Sequence, residues 1–304
     1  MALTQARRLV NAPRSRRLVR IVSGLGLSTL ALYSFLILLA LFFVYPLIWM
    51  ALSSFKLGPD IASRPLSFTI STATLDSYGR LLRNVPLHIG FKNTFIVLLF
   101  KGSLTMFFCP LAGFAFAKFR FRGRDILFVF VLATMMLPPV VMLIPLLLLM
   151  GRLGWVNTYQ ALILPGAVNA FSIFWMRQQI AEVPDELLDA GRVDGCSAWG
   201  LHWRIVLPVI RPALAALAIL TFLDIYNDFV WPVVAVNTIR MQTLQVMLSD
   251  LYNQINNMQV GAIGTNAWGQ VLAASTIATL PVWVLFLALQ RHFIYGILAG
   301  SLKG

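Results

Sequence analysis

Asp224, Tyr226, Asn227, Asp228 and Trp231 crowd eight consecutive positions of an otherwise apolar run. Carboxylates and amides bond hydroxyl groups, and an aromatic face stacks on a saturated ring. On one continuous helix, Asn227, Asp228 and Trp231 lie three, four and seven positions beyond Asp224 and share its face. Acids at such depth face a bundle interior or a wet cavity. The same residues also suit helix–helix contact or the capping of a helix end. Lys101 lies eight residues into another apolar run. Three readings stand for it: snorkelling to a polar edge, pairing with Asp224 or Asp228, or meeting an anionic solute.

A second constellation fills the polar stretch 183–208. Pro184 suits the first turn of a helix. Asp185, Glu186 and Asp189 place negative charge near that helix's N-terminus, where the helix dipole favours it. Ala190 and Gly191 are small enough for another surface to approach the backbone. Gly195, after Asp194, is able to take positive φ and end the helix in a tight turn. A second short helix over about Ala198 to Val206 returns with Trp199, Trp203, Ile205 and Val206 as apolar contacts. Leu207-Pro208 stops it, and Pro212 favours a new start. Taken alone, this is a helix–turn–helix connector.

No catalytic chemistry accompanies these groups. The histidines His88, His202 and His292 are scattered, and Cys109 and Cys196 lack zinc or redox spacing. There is no phosphate-cradling Gly-rich loop and no nucleophile elbow. The reading is therefore a chain that is not itself an enzyme and holds no metal or cofactor. The net charge of +13 does not indicate nucleic acid, because the basic residues fall between apolar runs and not in one patch.

The elements that must position these groups are membrane helices. Of the 304 residues, 59% are hydrophobic and 12% charged, against roughly 45–50% and about 25% in soluble domains. Six apolar segments are expected as spans: about Leu27 to Leu52, Asn93 to Ala117, Ile126 to Met150, Tyr159 to Met176, Val209 to Val234 and Trp268 to Leu289. Each is long enough to cross most of a bilayer core of ~30 Å at ~1.5 Å per residue, and a β-barrel would need alternating segments instead. The expected fold is an all-α membrane protein: a basic tail 1–26 and one six-span domain 27–304. Met135, Met136 and Met142 with Pro138, Pro139 and Pro145 read as a kinked gate or as plain packing. Gly296-x-x-x-Gly300 reads as a close helix contact or a docking tail.

Sixteen of the 24 Lys and Arg fall on one side of these spans, seven on the other, and Lys101 falls within. That bias places both termini and the 183–208 loop in the cytoplasm. The loops at about 53–92 and 235–267 then lie outside; the first has strand-like content at Ser67–Thr72 and the second is polar and nearly uncharged.

The 183–208 stretch resembles the cytoplasmic coupling loop of permease subunits in binding-protein-dependent ABC importers, whose pattern is Glu-Ala-Ala, three residues, Gly, then about nine residues ending in Ile-x-Leu-Pro. Asp189-Ala190-Gly191 stands for Glu-Ala-Ala, Gly195 for the glycine, and Ile205-x-Leu207-Pro208 for the close. Asp189 shortens the acid by one methylene, and Gly191 lowers helix propensity by ~1 kcal/mol against Ala. The resemblance extends to Pro46-x-x-Trp49-Met50, Asn93-Thr94, Ala112–Lys118, Phe121-Arg122-Gly123-Arg124, Met135–Pro138 and Asn227-Asp228-Phe229, as in carbohydrate permeases of the maltose-permease-G type. It implies a type I importer permease fold in the cell inner membrane. It implies a second permease subunit, two ATPase subunits that hold the ATP and magnesium, and an extracytoplasmic solute-binding protein. Glu186, Asp189, Ala190, Gly191, Asp194, Gly195, Leu207 and Pro208 are then the ATPase-coupling residues. Asp224, Tyr226, Asn227, Asp228, Trp231 and Lys101 are the candidate solute pathway. A secondary transporter or channel is the alternative; it would need ion-coupling acids and repeat symmetry, and neither is visible.

Overall fold

The computed structural model describes residues 27–63, 67, 68, 70, 72–257 and 267–301. The basic tail 1–26, Thr69 and Ser71 lie outside the described residues, as do the surroundings of Gly296 and Gly300.

Helices dominate the described chain. They are α1 (Leu27–Ser53), α2 (Gly58–Ser63), α3 (Asp76–Asn84), α4 (Leu87–Lys118), α5 (Arg124–Met135), α6 (Pro139–Arg152), α7 (Tyr159–Ile163) and α8 (Ala170–Ala181). Then follow α9 (Asp185–Val193), α10 (Ala198–Val209), α11 (Arg211–Asn227), α12 (Val230–Ala235), α13 (Leu244–Asn257) and α14 (Ala267–Ser301). No strand is described at 67, 68, 70 or 72, and the 53–92 connection instead carries α2 and α3. The nearly uncharged 235–267 loop contains α13, whose Leu244, Val246, Met247, Leu251 and Ile255 are buried.

The axis of the bundle is α4. Its buried residues Asn93, Val97, Lys101, Thr105, Cys109 and Gly113 recur every four positions, one stripe along a helix. Against that stripe pack α8, α11 and α13. At one end, buried Asn93 donates from Nδ2 to the carbonyls of Arg240 and Gln242 at 2.9 and 2.8 Å, and its Oδ1 accepts from the Tyr159 hydroxyl at 2.6 Å. Beside it, Thr94 Oγ1 accepts from the Leu244 amide. Asn93 and Thr94 thereby tie α7 and the start of α13 to the head of α4. At the other end Gly113 meets α8: a Cβ there would sit 2.8 Å from Met176 Cβ and from the Arg177 amide nitrogen.

The expectation of six continuous spans is not met among the described residues. Three helices are long and apolar enough to cross a membrane: Thr29–Ser53, Leu87–Lys118 and Ala267–Ala288. There are up to five if each of two bent pairs is one span. The third segment breaks at Met136-Leu137-Pro138 and turns by 101° between α5 and α6. The methionine–proline cluster is thus a break and not a mild kink, since two successive prolines remove two N–H donors. The fourth segment splits into α7 and α8. Pro165 has no N–H to continue α7, Gly166 takes φ +73°, and the Asn169 side chain accepts from the Ser172 amide to start α8. The fifth ends early: α11 stops at Asn227, and Asp228 is extended with ψ 117°.

Candidate functional site

The 183–208 loop forms two arms at the end of the bundle that holds Gly113. Its first arm is α9. Pro184 precedes that helix in an extended conformation (ψ 135°), so it stands just before the first turn and not within it. Asp185 and Glu186 occupy the first turn and Arg192 the last, each where the helix dipole favours its sign. Gly195 has φ +81° and closes the turn, as its position in the pattern predicts. A Cβ on it would meet nothing within 4 Å.

The second arm, α10, opens with Ser197 accepting from the Gly200 amide. Its middle, Leu201–Val206, widens to i→i+5 bonding, with the Leu207 amide donating to the His202 carbonyl. Such widened turns concentrate at functional positions. The chain then bends by 83° at Ile210 into α11.

The arms clasp each other through Gly191. This residue is buried, and a Cβ on it would lie 2.4 Å from Ile205 Cδ1 and 2.7 Å from Leu201 Cδ2. The expectation that Gly191 offers its backbone to an outside surface is therefore corrected: its smallness serves the contact between the arms. Beneath them Leu188, Leu201, Val206 and Ile210 form one apolar core with Phe114, Met176, Ile180 and Leu217. The loop is thereby continuous with α4, α8 and α11. Glu186, Asp189, Ala190, Asp194 and Gly195 remain exposed, as do Val193, Trp199 and Trp203.

Two further residues support this end. Lys118, the last residue of α4, donates to the Val183 carbonyl at 2.6 Å and to Asp185 Oδ1 at 2.7 Å. Its side chain is 7% exposed, that of Asp185 76%. The hydrogen bond and charge of Lys118 hold the Asp185 carboxyl below its usual range. Lys118 stands in the quoted Ala112–Lys118 pattern, so a signal was present, but its role depends on a contact 67 positions away. His202 is 1% exposed, with ring centroids of Phe114 at 5.2 Å and Trp203 at 5.4 Å. Its Nδ1 has no hydrogen-bond partner, and burial pushes its pKa down.

The candidate pathway residues do not share one face. The helix ends at Asn227, so Asp228 and Trp231 leave the turn that would align them with Asp224. Trp231 is buried and donates from Nε1 to the Ala161 carbonyl at 2.8 Å. Tyr226 is buried and donates to the Ala278 carbonyl at 2.6 Å. Both are spent on joining α11 and α12 to neighbouring helices. Asp224 and Asn227 line two different cavities. The first, about 430 Å³, is lined by Lys101, Thr105, Asn169, Ser172, Thr221 and Asp224 among others. The second, about 600 Å³, has Asn227, Gln245, Ser275 and Thr279 set among Leu47, Leu248, Val282, Trp283 and Phe286. Of the three readings for Lys101 the structure supports pairing: its Nζ lies 4.0 Å from Asp228 Oδ2.

Comparison with known proteins agrees with this architecture. Residues 110–297 match the family described as "Binding-protein-dependent transport system inner membrane component". The arabinooligosaccharides transport system permease protein AraQ of Bacillus subtilis is 33% identical over 90% of this chain and 96% of its own. The lactose transport system permease protein LacG of Rhizobium radiobacter is 32% identical over 89% and 95%. The crystal structure of a bacterial ABC transporter involved in import of the acidic polysaccharide alginate has a chain that superposes with TM-score 0.76. Sequence identity there is 25%, covering 93% of this chain and 99% of that one. The matched family region includes the whole two-armed loop, α11 and the cavity-lining Asp224 and Asn227, and the chain belongs to the family of binding-protein-dependent transport system inner membrane components.

Proposed function

We propose that this chain is one permease half of a carbohydrate ABC importer, in which the 183–208 loop receives force from an ATPase subunit and passes it to the helix bundle. One observation carries this reading. The two arms form a single packed body through Gly191, Leu201 and Ile205, rooted in the core of α4, α8 and α11, while a charged face is exposed. A body built this way moves as a unit, because close-packed interiors transmit displacement. ATP binding in partner subunits would draw the loop and rock the bundle between inward- and outward-facing states. Glu186, Asp189, Ala190, Asp194 and Gly195 meet the ATPase, and Leu207 and Pro208 set the joint into α11. ATP and magnesium belong to those partners. A second permease subunit completes the pathway, and an extracytoplasmic binding protein delivers solute. The sugar names of AraQ and LacG support a carbohydrate cargo.

In this reading the loop and both termini face the cytoplasm. Single cysteines at Ala198 and Asn256, both exposed in the structure, test the orientation in a chain freed of Cys109 and Cys196. An impermeant maleimide added to cells with a permeabilised outer layer should label position 256 and spare 198. Labelling at 198 would invert the arrangement. Coupling is tested at Gly195. A Cβ added there meets nothing within 4 Å, and the positive φ adds a strain of ~1–2 kcal/mol. Gly195→Asp should leave the chain inserted and abolish both solute import and co-purification with the ATPase. Wild-type import would remove the coupling assignment.

A further inference from the structure

The cavity lined by Lys101, Thr105, Asn169, Ser172, Thr221 and Asp224 has one cation and one carboxylate on its wall, and a second carboxylate, Asp228, stands behind the cation. Among the described residues lining it Lys101 is the one cation, and its Nζ lies 4.0 Å from Asp228 Oδ2. Asp228 also accepts from the Trp231 amide at 3.4 Å. Lys101 is 8% exposed, and its charge is set against Asp228, which does not line the cavity. Asp224 is exposed and makes no ion pair among the described residues. The N-terminus of α8 also borders the cavity, but the Asn169 side chain already accepts from the Ser172 amide there. The formal sum over Lys101, Asp228 and Asp224 is one negative charge. Around it stand hydroxyls and an amide: Thr221 one turn before Asp224 on α11, Ser172 and Asn169 on α8, and Thr105 on α4.

We propose that this cavity is a solute subsite that takes a neutral polyhydroxylated solute and repels carboxylated or phosphorylated ones, Asp224 accepting hydrogen bonds from solute hydroxyls. The proposal rests on the permease reading and adds to it a class of cargo. A carboxylate without an ion pair on a cavity wall acts on charge brought near it, and an anionic sugar would be placed against Asp224 with Lys101 already facing Asp228. A neutral polyol meets donors and acceptors without that opposition.

The sign of the cavity is readable by thiol chemistry without any knowledge of the cargo. In the assembled transporter in nanodiscs, Thr221→Cys is introduced into a chain carrying Cys109→Ala and Cys196→Ser. Trimethylammonioethyl and sulfonatoethyl methanethiosulfonate are reacted in turn, and modification is read as mass added to this chain. Each rate is divided by that of the same reagent with free 2-mercaptoethanol. The expected ratio favours the cationic reagent by ~10-fold or more, and Asp224→Asn brings it close to unity. Leu220→Cys, also on the cavity wall, serves if Thr221→Cys fails to assemble. A ratio at or below unity, or one that ignores Asp224→Asn, overturns the proposal. So does failure of either reagent to react with or without ATP, which would mean that no solute reaches the cavity. The permease reading is tested apart from this by solute import and ATPase co-purification in the same preparations. If those succeed while the ratio fails, only the subsite is lost; if those fail as well, the permease reading goes with it.

Discussion

Lys118 and Asp185 join the last residue of the central helix to the first residue of the coupling arm at 2.7 Å. The two ends of this bond are unequal. Asp185 is open to solvent, so its pairing is screened and adds little. Lys118 is nearly buried and also serves the Val183 carbonyl, a charge-assisted bond whose loss is worth ~1–3 kcal/mol. Lys118→Met should therefore detach the loop and lower import strongly, with ATPase activity no longer following solute supply. Asp185→Asn should be nearly silent. Equal effects of the two would mean that the ion pair, and not the carbonyl bond, is the anchor. The pH sign follows from the direction of the shift. With its carboxyl held below the usual range, the Asp185 contribution is present at neutral pH and is lost only as pH falls through that lowered value.

Gly113 sets how closely α4 and α8 approach. Its missing Cβ would press on the Met176 Cβ and the Arg177 backbone, neither of which is a movable side-chain end. Gly113→Val should cost ~1–3 kcal/mol or more by overpacking, seen as a lower melting temperature and poor assembly. Gly191→Ala meets only the tips of Ile205 and Leu201 and should be milder in the same assay. The reverse order would show that the arms, not the α4–α8 contact, limit stability.

His202 gives the loop a pH dependence. Buried among rings with Nδ1 unpartnered, it binds a proton less readily when folded than when the loop opens. Between its depressed value and the ordinary ~6.5, the open state holds more protons, so loop stability rises with pH and falls on acidification. Amide exchange in α10 should quicken from pH 7 to pH 5 beyond the intrinsic rate change. His202→Phe should remove that excess. An excess that survives the substitution would assign it to another group.

The parts of this molecule legible in its sequence are those with local signals. The first loop arm and its turn follow from Pro184, the three acids and Gly195; the second arm, expected to stop at Leu207-Pro208, runs through them to Val209 before the bend at Ile210. The span count was less legible, because average hydropathy does not register a single Pro165-Gly166 pair that divides α7 from α8. Nor did spacing locate the end of α11: counting along a helix assumes that the helix continues, and Asp228 leaves it. The remaining contacts are long-range. Asn93 bonds carbonyls 147 and 149 positions away, and Tyr226 one 52 away. Asn93-Thr94 stood out as a motif, yet no local pattern names its partners.

The end of α11 separates two cavities, and substitution decides which one the solute enters. Asp224 faces the polar one, beside Thr105, Ser172 and Thr221. Asn227, three residues later, faces the other, where Leu47, Leu248, Val282, Trp283 and Phe286 stand beside Gln245, Ser275 and Thr279. A buried hydroxyl that loses its partner costs ~1–3 kcal/mol, and tenfold in rate is ~1.4 kcal/mol. If solute bonds Asp224, Asp224→Ala should lower import by about tenfold or more, with solute affinity of the binding protein unchanged. ATPase stimulation by loaded binding protein should persist, since the coupling loop is untouched. Asn227→Ala should then cost less than about threefold, because polar groups beside it are already bonded: Gln245 donates to the Tyr226 carbonyl, Thr279 to the Thr276 carbonyl and Tyr226 to the Ala278 carbonyl. Tyr226→Phe serves as the structural control: it removes the bond to the Ala278 carbonyl and should lower thermal stability without changing solute preference. A large loss with Asn227→Ala and none with Asp224→Ala would move the pathway to the Trp283 side of α11. If neither substitution lowers import, the end of α11 is helix contact alone and solute passes along the partner permease.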